Sequence, residues 1–532
     1  MRALKSTLDV GTDRFRENRA GMLEQLAALE QEHKKGRDGG GPKSVERHRK
    51  RGRMLARERI DLLVDEDAAF LELSPLAAWG TRFTVGASVV TGIGVVSGVE
   101  CMIIAHDPTV QGGASNPYTW RKVLRATAIA SENRLPTINL VESGGGDLRA
   151  QAELFIPAGR LFRDLTALSA AGIPTIALVF GNSTAGGAYV PGMCDYAVMV
   201  KEQAKVFLGG PPLVKMATGE EANDEDLGGA DMHSRTSGLS DYLAADEVEC
   251  IAIGRQIVEH LGWRKLGPEP TLPADEPLYD PDELAGIASI DLKVPFDPRE
   301  VLARVVDGSR FEEYKPLYGT ALVCGWTSIW GYPCGVLANA RGVLFNEEAQ
   351  KATEFILLCN QRDQPLIFLQ NTTGFMVGTD YEQRGIIKDG SKMINAVTNS
   401  SVPHITLNIG ASYGAGNYGM SGRSYDPRLL FAWPNAKSAV MGPEQLAGVM
   451  SIVARQSAQA AGRVFDEEAD AATRAELEAR IEAESLATYM SGQLFDDGVI
   501  DPRDTRTVLG IALSVCHSNT VEGTRGYGVF RM

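Results

Sequence analysis

The sequence has no feature on which a metal site, a membrane span or a nucleic-acid surface is ordinarily built. Its seven cysteines, Cys101, Cys194, Cys250, Cys324, Cys334, Cys359 and Cys516, stand far apart. None forms a C-x-x-C pair or stands at zinc-ligand spacing from a histidine, so they are expected to be buried apolar thiols in a reducing compartment, with no bound metal. No run approaches the roughly 18–20 apolar residues that a membrane span needs. The first residues carry Asp9, Asp13 and Glu17 where a signal peptide has an apolar core. A cytoplasmic protein is therefore expected. Positive charge is also scarce: the formal net charge of -15 argues against general affinity for nucleic acid or anionic lipid.

What the chain does have is length and glycine. At 532 residues it exceeds what one hydrophobic core usually serves, so two domains are expected. With 44% apolar residues, either one can bury a core, and 57 glycines predict many tight turns and close backbone approaches.

Aligning the chain with itself reveals a duplication. Residues 132–145, ENRLPTINLVESGG, match 361–374, QRDQPLIFLQNTTG, at an offset of 229, with Pro136 over Pro365 and Gly145 over Gly374. The offset holds for GIPTIALVFGNSTAGG, 172–187, over SVPHITLNIGASYGAG, 401–416, which pairs Pro174 with Pro403 and Gly181 with Gly410. It becomes 232 where AKVFLGGP, 204–211, meets AKSAVMGP, 436–443. Each copy reads as a Pro-led apolar strand, Thr175 to Phe180 or His404 to Ile409, then a small-residue loop, then a helix. Between the copies, Pro268, Pro270, Pro273, Pro277 and Pro281 alternate with acidic residues, where neither strand nor helix propagates. This places the boundary near 275, giving domains 1–275 and 276–532. A late acidic, Ala-rich stretch, about 466–490, is expected to be helical and to lie on the second domain's surface.

The candidate sites are Ala185-Gly186-Gly187 and the matching Gly414-Ala415-Gly416. Each follows a buried strand and opens a helix, where the first N–H groups lack intrahelical acceptors and the dipole favours negative charge. Such a turn also serves tight packing alone; its duplication favours two oxyanion sites. Neither loop has a P-loop pattern, and ESGGGD at 142–147 lacks the dinucleotide spacing. LVKMATG at 213–219 lacks the Met that precedes Lys in a biotinylation site, which leaves Lys215 a structural role. The segment 42–60 gathers Lys43, Arg47, Arg49, Lys50, Arg51, Arg53, Arg57 and Arg59, either as a solvated helix face or as an attractor of phosphates.

These segments resemble the carboxyltransferase (β) subunits of biotin-dependent acyl-CoA carboxylases along nearly the whole chain. The resemblance is carried by GGGPKSVERHRKRGRMLARERIDLLVD (39–65), SAAGIPTIALVFGNSTAGGAYVPGMCD (169–195), LGGADMHSRTSGLSDYLA (227–244), FLQNTTGFMVGTDYEQRGIIKDGSKM (368–393) and SYGAGNYGMSGRSYDPRLLFAWPNAK (412–437). It implies an α/β fold of two tandem crotonase-like ββα spiral domains related by internal duplication. It implies a homohexameric core with active sites between subunits. The partner implied is a separate biotin carboxylase/biotin carboxyl carrier (α) subunit that delivers carboxybiotin. Carried over residue by residue, Gly186 and Gly187, with Ala185, face the thioester of the acyl-CoA, and Ala415 and Gly416, with Asn417, face the biotin carbonyl. The basic segment 42–60 then helps hold the ADP portion of CoA. In the implied mechanism the ureido nitrogen itself takes the substrate proton, so no side-chain base is required, and His233 is read as a structural histidine. Tyr189 and Tyr413 flank the loops.

The wording SAAGIP, AGGAYVPGM and GGADMHSRTSGLSDY is closest to the methylcrotonoyl-CoA and geranyl-CoA carboxylase branch, which carboxylates the γ-carbon of an unsaturated ester. ESGGGDLRAQAELF at 142–155 departs from that pattern, so acetyl-, propionyl- and longer acyl-CoA substrates stay open. A biotin-dependent decarboxylase subunit and a noncatalytic scaffold are the rival readings.

Overall fold

The Pro-led apolar segments become the central strands of two sheets in the computed structural model, which describes residues 2–532. In the first sheet Thr175–Thr184 lies parallel between Thr137–Ser143 and Tyr196–Val200. In the second, His404–Tyr413 lies parallel between Leu366–Phe375 and Leu429–Ala432. An antiparallel hairpin precedes each parallel set: Val89–Val96 with Val99–His106, and Leu322–Ile329 with Tyr332–Asn339. Both central strands run four residues beyond their apolar segments, to Thr184 and Tyr413. The extensions are held by the short strands Lys205–Phe207 and Lys437–Ala439, so backbone pairing continues where the apolar pattern has stopped.

Continuous apolar strands require cover on both faces. The outer face of the first sheet packs on Ala56–Leu63 and Glu247–His260. That of the second packs on Asn346–Gln361 and Ile386–Asn399. Between the sheets lies one shared core, where Val141, Ala177 and Val179 join Ile367, Leu407 and Ile409 in a single cluster. A further likeness lies in the helices Pro117–Asn133 and Asn346–Gln361, each of which buries a lysine at the 229 offset. Lys122 Nζ donates to the Val89 carbonyl and Lys351 Nζ to the Leu322 carbonyl, both at 2.8 Å. Burial pushes Lys122 down to about 8 and lowers Lys351, as expected when an ammonium is held by carbonyls alone.

The Pro-rich stretch 261–280 has neither helix nor strand. The chain's ends cross the boundary at 275, however. Arg2–Ala3 pairs with Arg310–Tyr314 at the edge of the second sheet, and helix Asp13–Arg37 packs on Leu284–Ile287. The acidic stretch forms Glu467–Ser485, packed on the helix Pro443–Ala460, and Ala487–Gly492, packed on Glu467–Ser485 and on the strand Lys437–Ala439. Among the described residues, no helix is long and apolar enough to cross a membrane.

Asp497 clasps the halves together. Its carboxylate accepts from Arg125 Nε at 2.8 Å and Nη2 at 2.9 Å, from Arg423 Nη2 at 2.6 Å and from the Leu430 N–H at 2.8 Å. Burial alone would raise its pKa, but Arg125 and Arg423 hold it well below the usual carboxylate range. Removing one partner of a buried pair strands the others, so Asp497→Asn is expected to cost about 3–5 kcal/mol. Chemical denaturation is the measurement, and an unchanged midpoint would show that the clasp contributes nothing. With the folded pKa depressed, this contribution is complete above the unfolded value of about 3.9 and is lost as the pH falls below it toward the folded one.

Candidate functional site

Both small-residue loops are set up by the same irregularity in strand pairing. In the first sheet Val141 pairs with Val179 but Ser143 pairs with Ser183, so Phe180, Gly181 and Asn182 lie opposite Glu142 alone. In the second, Gln370 pairs with Asn408 and Thr372 with Ser412, leaving Ile409, Gly410 and Ala411 opposite Asn371. Gly181 and Gly410 are needed there for close approach. A Cβ on Gly181 would come within 2.6 Å of the Glu142 carboxylate, and one on Gly410 would collide with the Asn371 carboxamide. Beyond the bulge each strand ends in a left-handed residue, Ala185 at φ 55° and Gly414 at φ 53°. The chain then turns into the short helical segments Ala185–Ala188 and Gly414–Gly419.

The first N–H groups of those turns, at Gly186, Gly187, Ala415 and Gly416, have no intrahelical acceptor. None of them donates to a side chain or a loop carbonyl. A second glycine stands beside each turn: Gly145, at φ +87°, near the Thr184 carbonyl, and Gly374, at φ +123°, near that of Tyr413. Their positions are fixed alike. The Gly145 N–H donates to Ser143 Oγ and the Gly374 N–H to Thr372 Oγ1, each at 3.2 Å. Those hydroxyls in turn donate to the Gly113 and Gly342 carbonyls. Two matched backbone cradles result, able to stabilise an oxyanion apiece.

The cradles border different cavities with no lining residue in common, the first reached by both Gly186 and Gly187 and the second by Ala415 but not by Gly416. The first, about 50 Å³, is bounded by Gly145, Gly146, Gly186, Gly187, His106 and Trp120. His106 Nδ1 and Trp120 Nε1 have no partner in the chain, and burial lowers the His106 pKa, keeping the ring neutral. The second, about 460 Å³, is bounded by Gly414, Ala415 and Asn417 with Asn408, Tyr418, Arg423 and Asp496. On the far side of the same strand end, Gly374 and Tyr413 border a larger cavity of about 870 Å³ with Lys437 and Glu482.

Other residues singled out by sequence fall into place. Asn417 borders the second cavity, but its amide donates to Ser412 Oγ at 2.7 Å, so it also fixes the loop. Tyr189 stacks on Phe162 at 5.4 Å and is 42% exposed. Both ring nitrogens of His233 are engaged, Nδ1 with Ser237 Oγ at 2.6 Å and Nε2 with the Val206 carbonyl at 2.7 Å. Lys215 pairs with Glu221 on an exposed helix. The basic segment divides in two. Arg53 and Arg59 bind Glu142, Arg59 also binds Glu247, and Arg57 binds Glu72, all holding the fold. Lys43, Arg47 and Arg51 are exposed. Sequence reasoning missed His106, Trp120 and Asp496, which lie far from the loops in the chain, and Arg423, which follows the second loop closely but carried no pattern of its own. Gly145 and Gly374 were visible as a matched pair, but without the bulge they gave no reason to stand beside the cradles.

Comparison with known proteins matches residues 47–527 to the carboxyl transferase domain family. The chain is 66% identical, over 99% of its length and 100% of the other's, to a probable biotin-dependent acyl-coenzyme A carboxylase beta2 subunit of Mycobacterium tuberculosis. It is 48% identical to the mitochondrial methylcrotonoyl-CoA carboxylase beta chain of Dictyostelium discoideum, covering 99% of this chain and 91% of that one. The crystal structure of the P. aeruginosa geranyl-CoA carboxylase beta subunit superposes with a TM-score of 0.91 at 42% identity, covering 100% of both chains.

The cradles differ in how much room they leave. A Cβ on Gly187 would rest 3.4 Å from Ser183 Oγ, an ordinary contact, whereas one on Gly416 would stand 2.8 Å from Thr372 Oγ1 and 2.9 Å from Gly374 Cα. Gly416→Ala is therefore expected to destabilise by about 1–3 kcal/mol and Gly187→Ala by less. Denaturant midpoints of the two variants check this, and equal losses would contradict the packing described.

Proposed function

The chain belongs to the carboxyl transferase family, as the carboxyltransferase β subunit of a biotin-dependent acyl-CoA carboxylase, and we propose that its substrate is a 3-methylcrotonoyl-like CoA thioester carboxylated at the γ-carbon. The observation that carries the site assignment is the pair of matched cradles, one per half, built by the same bulge at the same offset. Carboxyl transfer generates negative charge on two carbonyl oxygens, and two cradles answer that need. The methylcrotonoyl-CoA and geranyl-CoA names among its relatives favour the unsaturated substrate.

On this reading the Gly186 and Gly187 N–H groups receive the thioester oxygen. As the γ-proton leaves, charge spreads through the double bond onto that oxygen, and each donor contributes on the order of 2.7–4 kcal/mol in the transition state. The first cavity is small, so only the reacting end of the ester enters it, and Lys43, Arg47 and Arg51 are left to attract the CoA phosphates outside. The Ala415 and Gly416 N–H groups receive the ureido oxygen. Carboxybiotin, when bound there, would supply the carbon dioxide, and these two N–H groups would stabilise the negative charge left on its ureido oxygen. A cavity of about 460 Å³ bordered by Asn408, Asn417, Arg423 and Asp496 suits a bicyclic ring with a polar edge. The ureido nitrogen would then take the γ-proton and the γ-carbon would add to carbon dioxide. His106, neutral and held below its ordinary pKa by burial, is a poor base, in keeping with a scheme that asks none of the protein.

Because the cradles open into separate cavities, a cleft containing both is completed by a second copy of the chain, the first half of one facing the second half of its neighbour. We extend this to a homohexameric core that docks a separate biotinylated α subunit in the cytoplasm. In the reassembled complex, a panel of CoA esters is expected to give the highest kcat/KM with 3-methylcrotonoyl-CoA. A folded Gly187→Val, Gly416→Val double variant should lose at least about a hundredfold in carboxyl transfer. Equal rates for variant and unaltered chain would remove the cradles from the mechanism, and a preference for a saturated ester would overturn the substrate.

A further inference from the structure

Behind its cradle the first cavity is walled by Trp120, Val123, Leu161 and Val190. The offset of 229 carries these four onto Ala349, Ala352, Gly390 and Gly419, so every wall has a smaller counterpart in the second half. One side chain takes the space so released. A Cβ on Gly390 would stand 3.3 Å from the Phe375 ring and one on Gly419 3.2 Å from it, and Phe375 packs on the core cluster that contains Ala349 and Ala352. The cavity of about 870 Å³ that Phe375 also borders reaches none of these four residues. At the same offset the counterpart of Phe375 is Gly146, which lines the first cavity.

The equivalence holds in the backbone as well as in the sequence. Gly146 bridges in parallel to Ser115, as Phe375 pairs in parallel with Leu344, each partner again 229 residues on. The following N–H groups agree: Asp147 donates to the Ser115 carbonyl at 2.9 Å and Met376 to that of Leu344 at 2.8 Å. Nor does the backbone require glycine at 146. Its φ is not positive, and a Cβ there would meet only Leu154 Cδ1, at 3.6 Å, an ordinary contact. What Gly146 contributes is the absence of a side chain at the mouth of an apolar pocket. In the second half the same position fills that pocket from within the chain.

We propose that Gly146 and Trp120 determine which acyl groups the chain accepts, Gly146 by leaving the first pocket open and Trp120 by limiting its length, while Phe375 leaves the second half without an acyl pocket. The assignment rests on the carboxyltransferase reading above, with the ester in the first half. A volume of about 50 Å³ has room for roughly four waters, which suits a branched acyl group of roughly four or five carbons and excludes a chain twice as long. Trp120 is the largest side chain lining the pocket, and alanine stands at its counterpart.

The test compares two CoA esters in the reassembled complex, 3-methylcrotonoyl-CoA as the short probe and its longer homologue geranyl-CoA as the long one. The unaltered chain should prefer the short ester, and Trp120→Ala should raise the long-to-short ratio of kcat/KM at least about tenfold. Gly146→Phe should lose at least about a hundredfold in kcat/KM for 3-methylcrotonoyl-CoA. Its affinity for free CoA and its KM for the carboxylated carrier should stay unchanged, a pattern that general damage to the fold does not give. Titration of the unaltered complex with the short ester should find one site per chain. The assignment is overturned by a preference of the unaltered chain for the long ester, by an unchanged ratio in Trp120→Ala, or by undiminished turnover in Gly146→Phe. Equal loss of ester and free CoA binding in Gly146→Phe, or two ester sites per chain, would overturn it as well. Should either variant not fold, Trp120→Leu or Gly146→Leu replaces it under the same criteria. Transfer to no ester by the unaltered chain would instead overturn the underlying function, so the two failures are distinct.

Discussion

Three residues lying opposite one, twice, is the constraint from which the site follows. A parallel pair of strands normally continues in register to its end, where both chains would leave the sheet together. Here Glu142 and Asn371 lie across the backbone of Gly181 and Gly410, and the longer strand bows around them. The bow carries the strand end past its neighbour and aims it at the left-handed residue that starts the helical turn. Without the bulge the N–H groups of Gly186 and Ala415 would not stand beside Gly145 and Gly374. Ala185 takes the left-handed conformation with a Cβ, a sign that the surrounding pairing imposes it.

The same device is wired differently in the two halves. Ser183 Oγ donates to the Gly187 carbonyl at 2.8 Å, closing the first turn on itself. The matching Ser412 Oγ instead donates to Gln370 and accepts from Asn417, while Gln370 reaches the Met420 carbonyl at 2.6 Å. That network ties the second turn to the strand beside it; Ala415 and its counterpart Gly186 are both exposed, but the second turn borders a wide cavity and the first a narrow one. Two cradles of one origin can thus serve reactants of different bulk. The backbone donors stay common, and side chains set the space in front of them.

How much of this was legible in the sequence follows from the range of each interaction. The strands, the cradles and their pairing are local patterns repeated at one offset, and Gly181 over Gly410 was visible before its cause was known. The strand extensions were not, because Asn182, Ser183 and Thr184 are polar and their reason for being in a sheet is a partner strand some twenty residues away. The basic segment misled by its charge. Arg53, Arg57 and Arg59 look like a binding face, yet they neutralise buried Glu142, Glu247 and Glu72, and Arg59, at 1% exposure, stacks on Phe180. Arg2 and Ala3 joining the far sheet has no local signal at all, since two residues set no period.

Asp497 links the fold to the chemistry through charge. It takes both arginines, and the two cations fix its ionised state so firmly that its neighbour Asp496 meets a standing negative charge in a dry interior. Burial pushes the Asp496 carboxyl up to about 7, and within the clasp Arg423 opposes that rise while Asp497 adds to it. Stability of the interface and the charge beside the cavity thus share one carboxylate, Asp497, which orients the Arg423 side chain that borders that cavity.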